Sequence, residues 1–263
     1  MDAAPTSFYE PLGDGSYRPT VRTEGAWQPG EQHMAPVSGL IVHVVERFVA
    51  ENFPDDGLQI ARLNFEILGM IRDHDMQITV DVVRPGKTIQ LLEATLTIDD
   101  RVIIRCRIWR LAVADTTRVE GGAPAPLPAP HDLEQWSNEI GWGGGYIDSL
   151  EIRPLPDWRP GRGRTWMHTD VVLVAGEPVG ELARYIALVD TANGSAPRES
   201  PAEWLFPNVE LSIHLYRQPA GAWVGFDTTV VWGPSGLGLT SSVLHDLDGP
   251  VGMAQQTLTL RPL

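Results

Sequence analysis

Asp190 and Gln256 are the two residues whose setting most suggests chemistry. Asp190 falls in EPVGELARYIALVDTANGS, where Leu182, Tyr185, Ile186 and Val189 recur at i, i+3, i+4 and i+7 and form one apolar helix face. Pro178 fits the first turn of such a helix and Gly194 its end. A carboxylate in the last turn faces the negative end of the macrodipole, at a local cost of about 0.3–1 kcal/mol. Some other contact must hold it there. In the closing strand, Gly252, Ala254, Gln256, Leu258 and Leu260 share one face, and Val251, Met253, Gln255, Thr257 and Thr259 the other. Gln256 is the one polar side chain on a small, apolar face, and leaving its amide unpaired would cost about 1–3 kcal/mol. Asp190 is the partner on offer, in either a structural hydrogen bond or a functional pair. Burial and the helix terminus would both raise the pKa of this carboxyl, toward a value useful to a general base.

Other candidates are weaker. His43 and Glu46 have metal-ligand spacing on a helix, but no second His, Cys or Asp pair accompanies them, so a satisfied or solvated pair is the better reading and no metal is implied. Cys106 shares a strand face with Ile104 and Ile108 and reads as a small buried side chain; as the only cysteine it cannot form a disulfide within the chain. GWGGGY and GPSGLG lack the Lys-Ser/Thr pair and helix of a phosphate loop, and no Gly-x-Ser-x-Gly elbow occurs. His214 and His245 lie within strands, where core or surface roles are the simpler reading.

The elements that must position Asp190 and Gln256 come in two passes. SYRPTVRTEGAW reads as an N-terminal strand, followed by a helix in PVSGLIVHVVERFVAENF that is apolar around most of its circumference and therefore buried. Strands follow in LQIARLNFEIL, MQITVDVVRP, TIQLLEATLTI and VIIRCRIWRL. Residues 112–135 then lose periodicity and are rich in proline, which places a linker there between units at 1–111 and 136–263. The second unit repeats the order: strands, the Asp190 helix, then NVELSIHLYR, WVGFDTTVVW, LTSSVLHDL and VGMAQQTLTLRPL. A shift of 149 residues superposes Pro85 on Pro234 and the turn Asp99-Asp100 on Asp248-Gly249, which suggests duplication and a pseudo-dimer sharing one continuous sheet. In that frame Arg107 matches Gln256, and the first helix has no acid before Glu46, so a carboxylate site should occur once per chain.

Composition narrows the partners. With 20 Lys and Arg against 34 Asp and Glu, the net charge of −14 disfavours nucleic acid, which is bound largely through cations on phosphates. It would also steer an anionic cofactor poorly unless arginines cluster locally. No window approaches the ~20 apolar residues of a membrane span, and the N-terminus lacks a basic region followed by an apolar core, so a cytoplasmic location is expected.

The duplicated helix-plus-sheet unit, Asp190 on the second helix, FPNVELSIHLYR and the closing PVGMAQQTLTLRP together resemble the acyl-CoA thioesterase II family of double hotdog proteins. The resemblance runs from about Gly15 to the end and is clearest after Trp166. It implies an α+β double hotdog, two tandem helix-wrapped antiparallel sheets. It also implies that an Asp on the second helix, a polar residue opening the next long strand and a Gln in the final strand hold and activate a water. Those roles fall on Asp190, Asn208 and Gln256; the family's Thr is here Asn208, which can still donate and accept.

The activity implied is hydrolysis of a fatty acyl-CoA thioester, with no cofactor and a homodimer or larger assembly. A thiolate leaves readily, so a carboxylate-activated water with a stabilised oxyanion could suffice without a Ser or Cys nucleophile. Two alternatives stay open. A hotdog dehydratase or hydratase would pair the Asp with a His a few residues on, but none follows Asp190 before His214. A non-catalytic acyl-CoA-binding protein could keep the fold without turnover.

Overall fold

The computed structural model describes residues 5–138 and 140–263. Its first half contains β1 (Ser7–Pro11), β2 (Ser16–Pro19), the helix α1 (Met34–Asn52), β3 (Leu58–Ile67), β4 (Met76–Arg84), β5 (Ile89–Ile98) and β6 (Arg101–Ala112). The second half contains β7 (Glu151–Pro154), β8 (Arg162–His168), β9 (Val172–Val174), α2 (Glu181–Val189), the short α3 (Ala192–Ser195), β10 (Trp204–Leu205), β11 (Glu210–Leu215), β12 (Val224–Trp232), β13 (Leu237–Asp246), β14 (Gly249–Thr259) and β15 (Arg261–Pro262). Among the described residues no helix is long and apolar enough to cross a membrane.

One 13-stranded sheet runs β7-β8-β12-β13-β14-β11-β3-β6-β5-β4-β2-β1-β9. The halves join in its middle, where β11 pairs antiparallel with β3. At the far edge β9, from the second half, pairs in parallel with β1 of the first. Residues 169–171 alone link β8, next to one end of this order, to β9 at the other end, so His168 and Val172 lie within about 14 Å. The sheet therefore curls nearly closed around α1 and α2. This is the double hotdog architecture, a pseudo-dimer built on one continuous sheet.

The two helices cross antiparallel. Ser38, near the start of α1, donates from Oγ to the carbonyl of Ile186 near the end of α2 (3.0 Å), while Glu46, farther along α1, lies against Gly180 before α2. Gly39 makes the approach possible: a Cβ there would sit 2.5 Å from Ala187 Cβ and 2.8 Å from the Ala183 carbonyl oxygen.

The repeat is real, but its frame is 148 residues. Leu92 pairs with Ile108 as Thr240 pairs with Gln256, and Phe65 pairs with Cys106 as Ile213 pairs with Ala254. Even the bulge recurs, after Leu96 in one hairpin and after Leu244 in the other. The shift of 149 is thus one residue too long, and a one-residue slip moves a side chain to the other face of a strand. Ile108, which is buried, corresponds to Gln256; Arg107 points outward, bonded to Glu93.

Two further expectations change in detail. The strand expected over SYRPTVRTEGAW stops at Pro19, which cannot donate to a ladder, and Thr20 caps a 3₁₀ turn by accepting from the Arg22 N–H (3.2 Å). The helix expected from Pro178 to Gly194 is two helices. α2 starts after Gly180, leaving Pro178 outside, and α3 follows Asp190 through i→i−3 bonds from Asn193 and Gly194. His43 and Glu46 diverge: His43 bonds Glu177 (2.7 Å), and burial lifts the Glu46 carboxyl to a pKa of about 7.

Gly39→Ala tests the crossing. Alanine favours a helix by about 1 kcal/mol, but overpacking costs about 1–3 kcal/mol. We expect urea denaturation to show a net loss of stability.

Candidate active site

Asp190 is the C-cap of α2 and is 4% exposed. Its Oδ1 accepts from Asn208 Nδ2 (2.8 Å) and from Gln256 Nε2 (2.9 Å), and Gln256 Nε2 also reaches the Asp190 carbonyl (3.0 Å). The sequence thus places all three residues together, and the contact foreseen between Asp190 and Gln256 is made. Their positions differ in kind. Asp190 and Asn208 line a cavity of about 660 Å³, whereas Gln256 stands behind the carboxylate, outside the cavity lining and fully buried. Gln256 therefore meets Asp190 from the protein side and not from the cavity. Asn208 Nδ2 also donates to the Glu210 carbonyl (3.1 Å), so its two acceptors fix the amide orientation and leave Oδ1 as its spare acceptor.

Burial raises the Asp190 pKa to about 6, against the opposing pull of the Asn208 and Gln256 hydrogen bonds. The antiparallel crossing also brings the N-terminus of α1 to this carboxylate, and that positive end offsets the unfavourable end of α2.

His33 is the residue that sequence reasoning missed. As N-cap of α1, its Nδ1 accepts from the Ala35 N–H (3.1 Å) and lies 3.7 Å from Asp190 Oδ2, too far for a hydrogen bond. Burial depresses its pKa to about 3, so the ring is neutral, and with Nδ1 accepting, the proton sits on Nε2. The ring stacks on Tyr146 at 4.3 Å. Tyr146 donates to the Ala187 carbonyl (3.1 Å) and meets Thr191 Oγ1 (2.7 Å), tying His33 to the end of α2. Pro36 in the first turn of α1 was the available sequence signal, because it marks the residues before it as a helix start.

The cavity walls are largely apolar and aromatic, with Trp27, Trp136, Trp142 and Trp158 among them. Trp142 and Trp158 donate from Nε1 to the carbonyls of Gly194 (3.2 Å) and Ser195 (2.8 Å), satisfying groups left open where α3 ends. Residues 132–137 close one side, anchored by Arg153, which donates to the carbonyls of Pro130 (3.0 Å) and Leu133 (3.2 Å). No Lys or Arg is among the lining residues, and no group of described residues could hold a metal ion.

Among the described residues this trio occurs once. In the 148-residue frame Asp190, Asn208 and Gln256 correspond to Val42, Ile60 and Ile108, all buried and aliphatic.

Fold and cavity define a double hotdog protein whose cavity is lined by the buried carboxylate of Asp190. The Acyl-CoA thioesterase N-terminal domain profile matches residues 23–111 and the C-terminal domain profile residues 118–260, so the chain belongs to the acyl-CoA thioesterase family. No curated protein matches significantly. Among solved structures, a conserved protein of unknown function with a hot dog fold from Alicyclobacillus acidocaldarius is similar at 12% identity and TM-score 0.73, covering 95% of each chain. An acyl-CoA thioesterase II, TesB2, from Mycobacterium marinum is similar at 15% identity and TM-score 0.64, over 98% of this chain and 96% of that one. The tesB protein of Mycobacterium avium subs paratuberculosis gives 14% identity and TM-score 0.63, over 97% and 96%. At these identities the likeness is one of fold.

Because the folded pKa of Asp190 is raised, its contribution favours folding below about pH 4 and is lost as pH rises through about 6. Asp190→Asn keeps an oxygen for both amide donors and removes the buried charge. We expect it to be more stable than the parent at pH 8, by roughly 1–3 kcal/mol, with the difference vanishing near pH 4 in thermal or urea melts.

Proposed function

We propose that the protein hydrolyses the thioester of a fatty acyl-CoA, with Asp190 as general base. The observation that carries this reading is the asymmetry of one carboxylate in the cavity wall: two amides fix Oδ1, while Oδ2 accepts from neither. A water donating to Asp190 Oδ2 and to Asn208 Oδ1 would be oriented by both. Its oxygen attacks the thioester carbonyl carbon as its proton passes to Asp190. The C–S bond then breaks and the thiolate takes up a proton, so that acid and free thiol leave. The neutral His33 Nε2–H is the donor for the oxyanion, a role its tautomer suits and its depressed pKa preserves. Gln256 acts through Asp190 as a positioning residue.

No thiol or serine nucleophile is needed, and Cys106 is buried in the core with its pKa raised by burial. With no cation in the lining, the nucleotide of the coenzyme stays outside the cavity. We extend the proposal to a linker at 112–135 between the two units, a cytoplasmic location, and assembly as a homodimer or more, the last to be read by light scattering.

The nearness of His33 to Asp190 raises the hydratase reading again. His33 cannot serve there as a base, because Nδ1 already accepts a helix N–H and the ring resists protonation. Acyl-CoA and 2-enoyl-CoA substrates separate the two: thiol release marks hydrolysis, and a change in enoyl absorbance without thiol marks hydration.

Purified protein should release free thiol from acyl-CoA, with kcat/KM rising through one apparent pKa near 6 and no second rise from His33. Asp190→Asn should lower it by about 100-fold or more; unchanged turnover would remove Asp190 from the mechanism. His33→Asn retains a good helix cap but loses the Nε2 donor. It should keep its melting temperature and lose about 100-fold in kcat, whereas unaltered kcat would reduce His33 to a cap.

A further inference from the structure

Along β8 the residues Gly163, Thr165 and Met167 alternate toward the interior, and Thr165 and Met167 line the cavity. Thr165 is 2% exposed and its Oγ1 has no hydrogen-bond partner. Other buried hydroxyls and amides of this half are paired, Thr228 with Ser242 (2.8 Å), Thr240 with Asn193 (3.3 Å) and Asn193 with the Phe206 carbonyl (2.9 Å). Of the buried polar side-chain atoms left without a partner among the described residues, including Trp232 Nε1, His245 Nδ1 and Gln256 Oε1, Thr165 Oγ1 alone belongs to a residue that lines the cavity. A buried hydroxyl without a partner is destabilising, and valine would fill the same volume without it. A bound molecule that supplies the partner gives the hydroxyl a use.

Its place in the sheet says which part of a substrate it meets. Thr165 pairs with Phe226, Phe226 with Leu244 and Leu244 with Gly252, so it stands three strands from β14, about 14 Å across the sheet. Gln256, which marks the position of Asp190, lies four residues farther along β14. Thr165 therefore stands well away from the carboxylate, beside Ile152, Pro154 and Leu155, where on the thioesterase reading the acyl group would pass beyond the thioester. A carboxylate at that point is disfavoured, because no Lys or Arg lines the cavity and Asp132, Glu134 and Asp190 do.

We propose that the acyl group carries an uncharged oxygen function, a hydroxyl or a carbonyl, away from the thioester, and that Thr165 Oγ1 hydrogen-bonds it. This rests on the thioesterase reading for its reaction but not for its binding. The test compares acyl-CoA esters of equal length, unsubstituted or bearing a hydroxyl at successive mid-chain carbons, on the parent, Thr165→Val and Thr165→Ser. At one hydroxyl position kcat/KM should exceed that of the plain ester by about tenfold in the parent and in Thr165→Ser, and the preference should vanish in Thr165→Val. The matching free hydroxy and plain acids are titrated by tryptophan fluorescence, a readout independent of turnover that the four cavity tryptophans permit. Thr165-dependent binding of the hydroxy acid with no thiol release from any ester would sustain this inference while ending the thioesterase reading. A plain chain preferred or equalled at every position, or a preference that survives in Thr165→Val, overturns it and leaves the hydroxyl with an ordered water.

Discussion

The antiparallel crossing of α1 on α2 is the constraint on which the site depends. It requires Gly39 against Ala187, and it sets the start of α1 beside the end of α2. A carboxylate opposed by its own helix thereby gains the favourable end of another, and the cap of that second helix delivers His33 to within 3.7 Å. Neither helix alone makes a site. The curled sheet keeps the pair dry, and desolvation then holds Asp190 near the pKa of a working base and His33 neutral.

The two halves share a backbone plan and differ in what they put inside it. Thr228, Ser242, Thr240 and Gln256 in the second half correspond to Val80, Ala94, Leu92 and Ile108 in the first. One interior is an aliphatic core with a greasy helix; the other spends packing on hydroxyls and amides, most of them bonded to each other.

Much of this was legible from alternation and helical spacing. Both helices, the long strands, the repeat and the meeting of Asp190 with Gln256 follow from which residues share a face. The frame of the repeat went astray by one residue because a shared aspartate at the hairpin turns drew the superposition. Face parity was the stronger signal: Ile104, Cys106 and Ile108 match Gly252, Ala254 and Gln256, and only a 148-residue shift keeps both sets inward. What could not be read was whatever depends on segments without periodicity. His33 lies in a loop before a helix, the cavity wall at 132–137 is held by backbone carbonyls on Arg153, and Thr165 is unusual only for the partner it lacks.

The pairing of β9 with β1 has a consequence for how the chain acquires its structure. By sequence β9 belongs to the second half, yet it completes the edge of the first. The halves therefore meet at a second junction besides β11 with β3, and forming it joins residues more than 160 positions apart, Ser7 with Val172. Such a contact carries the entropy of closing a long loop and favours late formation. Until it forms, the edge of β1 stays open to any other extended chain, so the molecule is most vulnerable to mispairing just before it is finished.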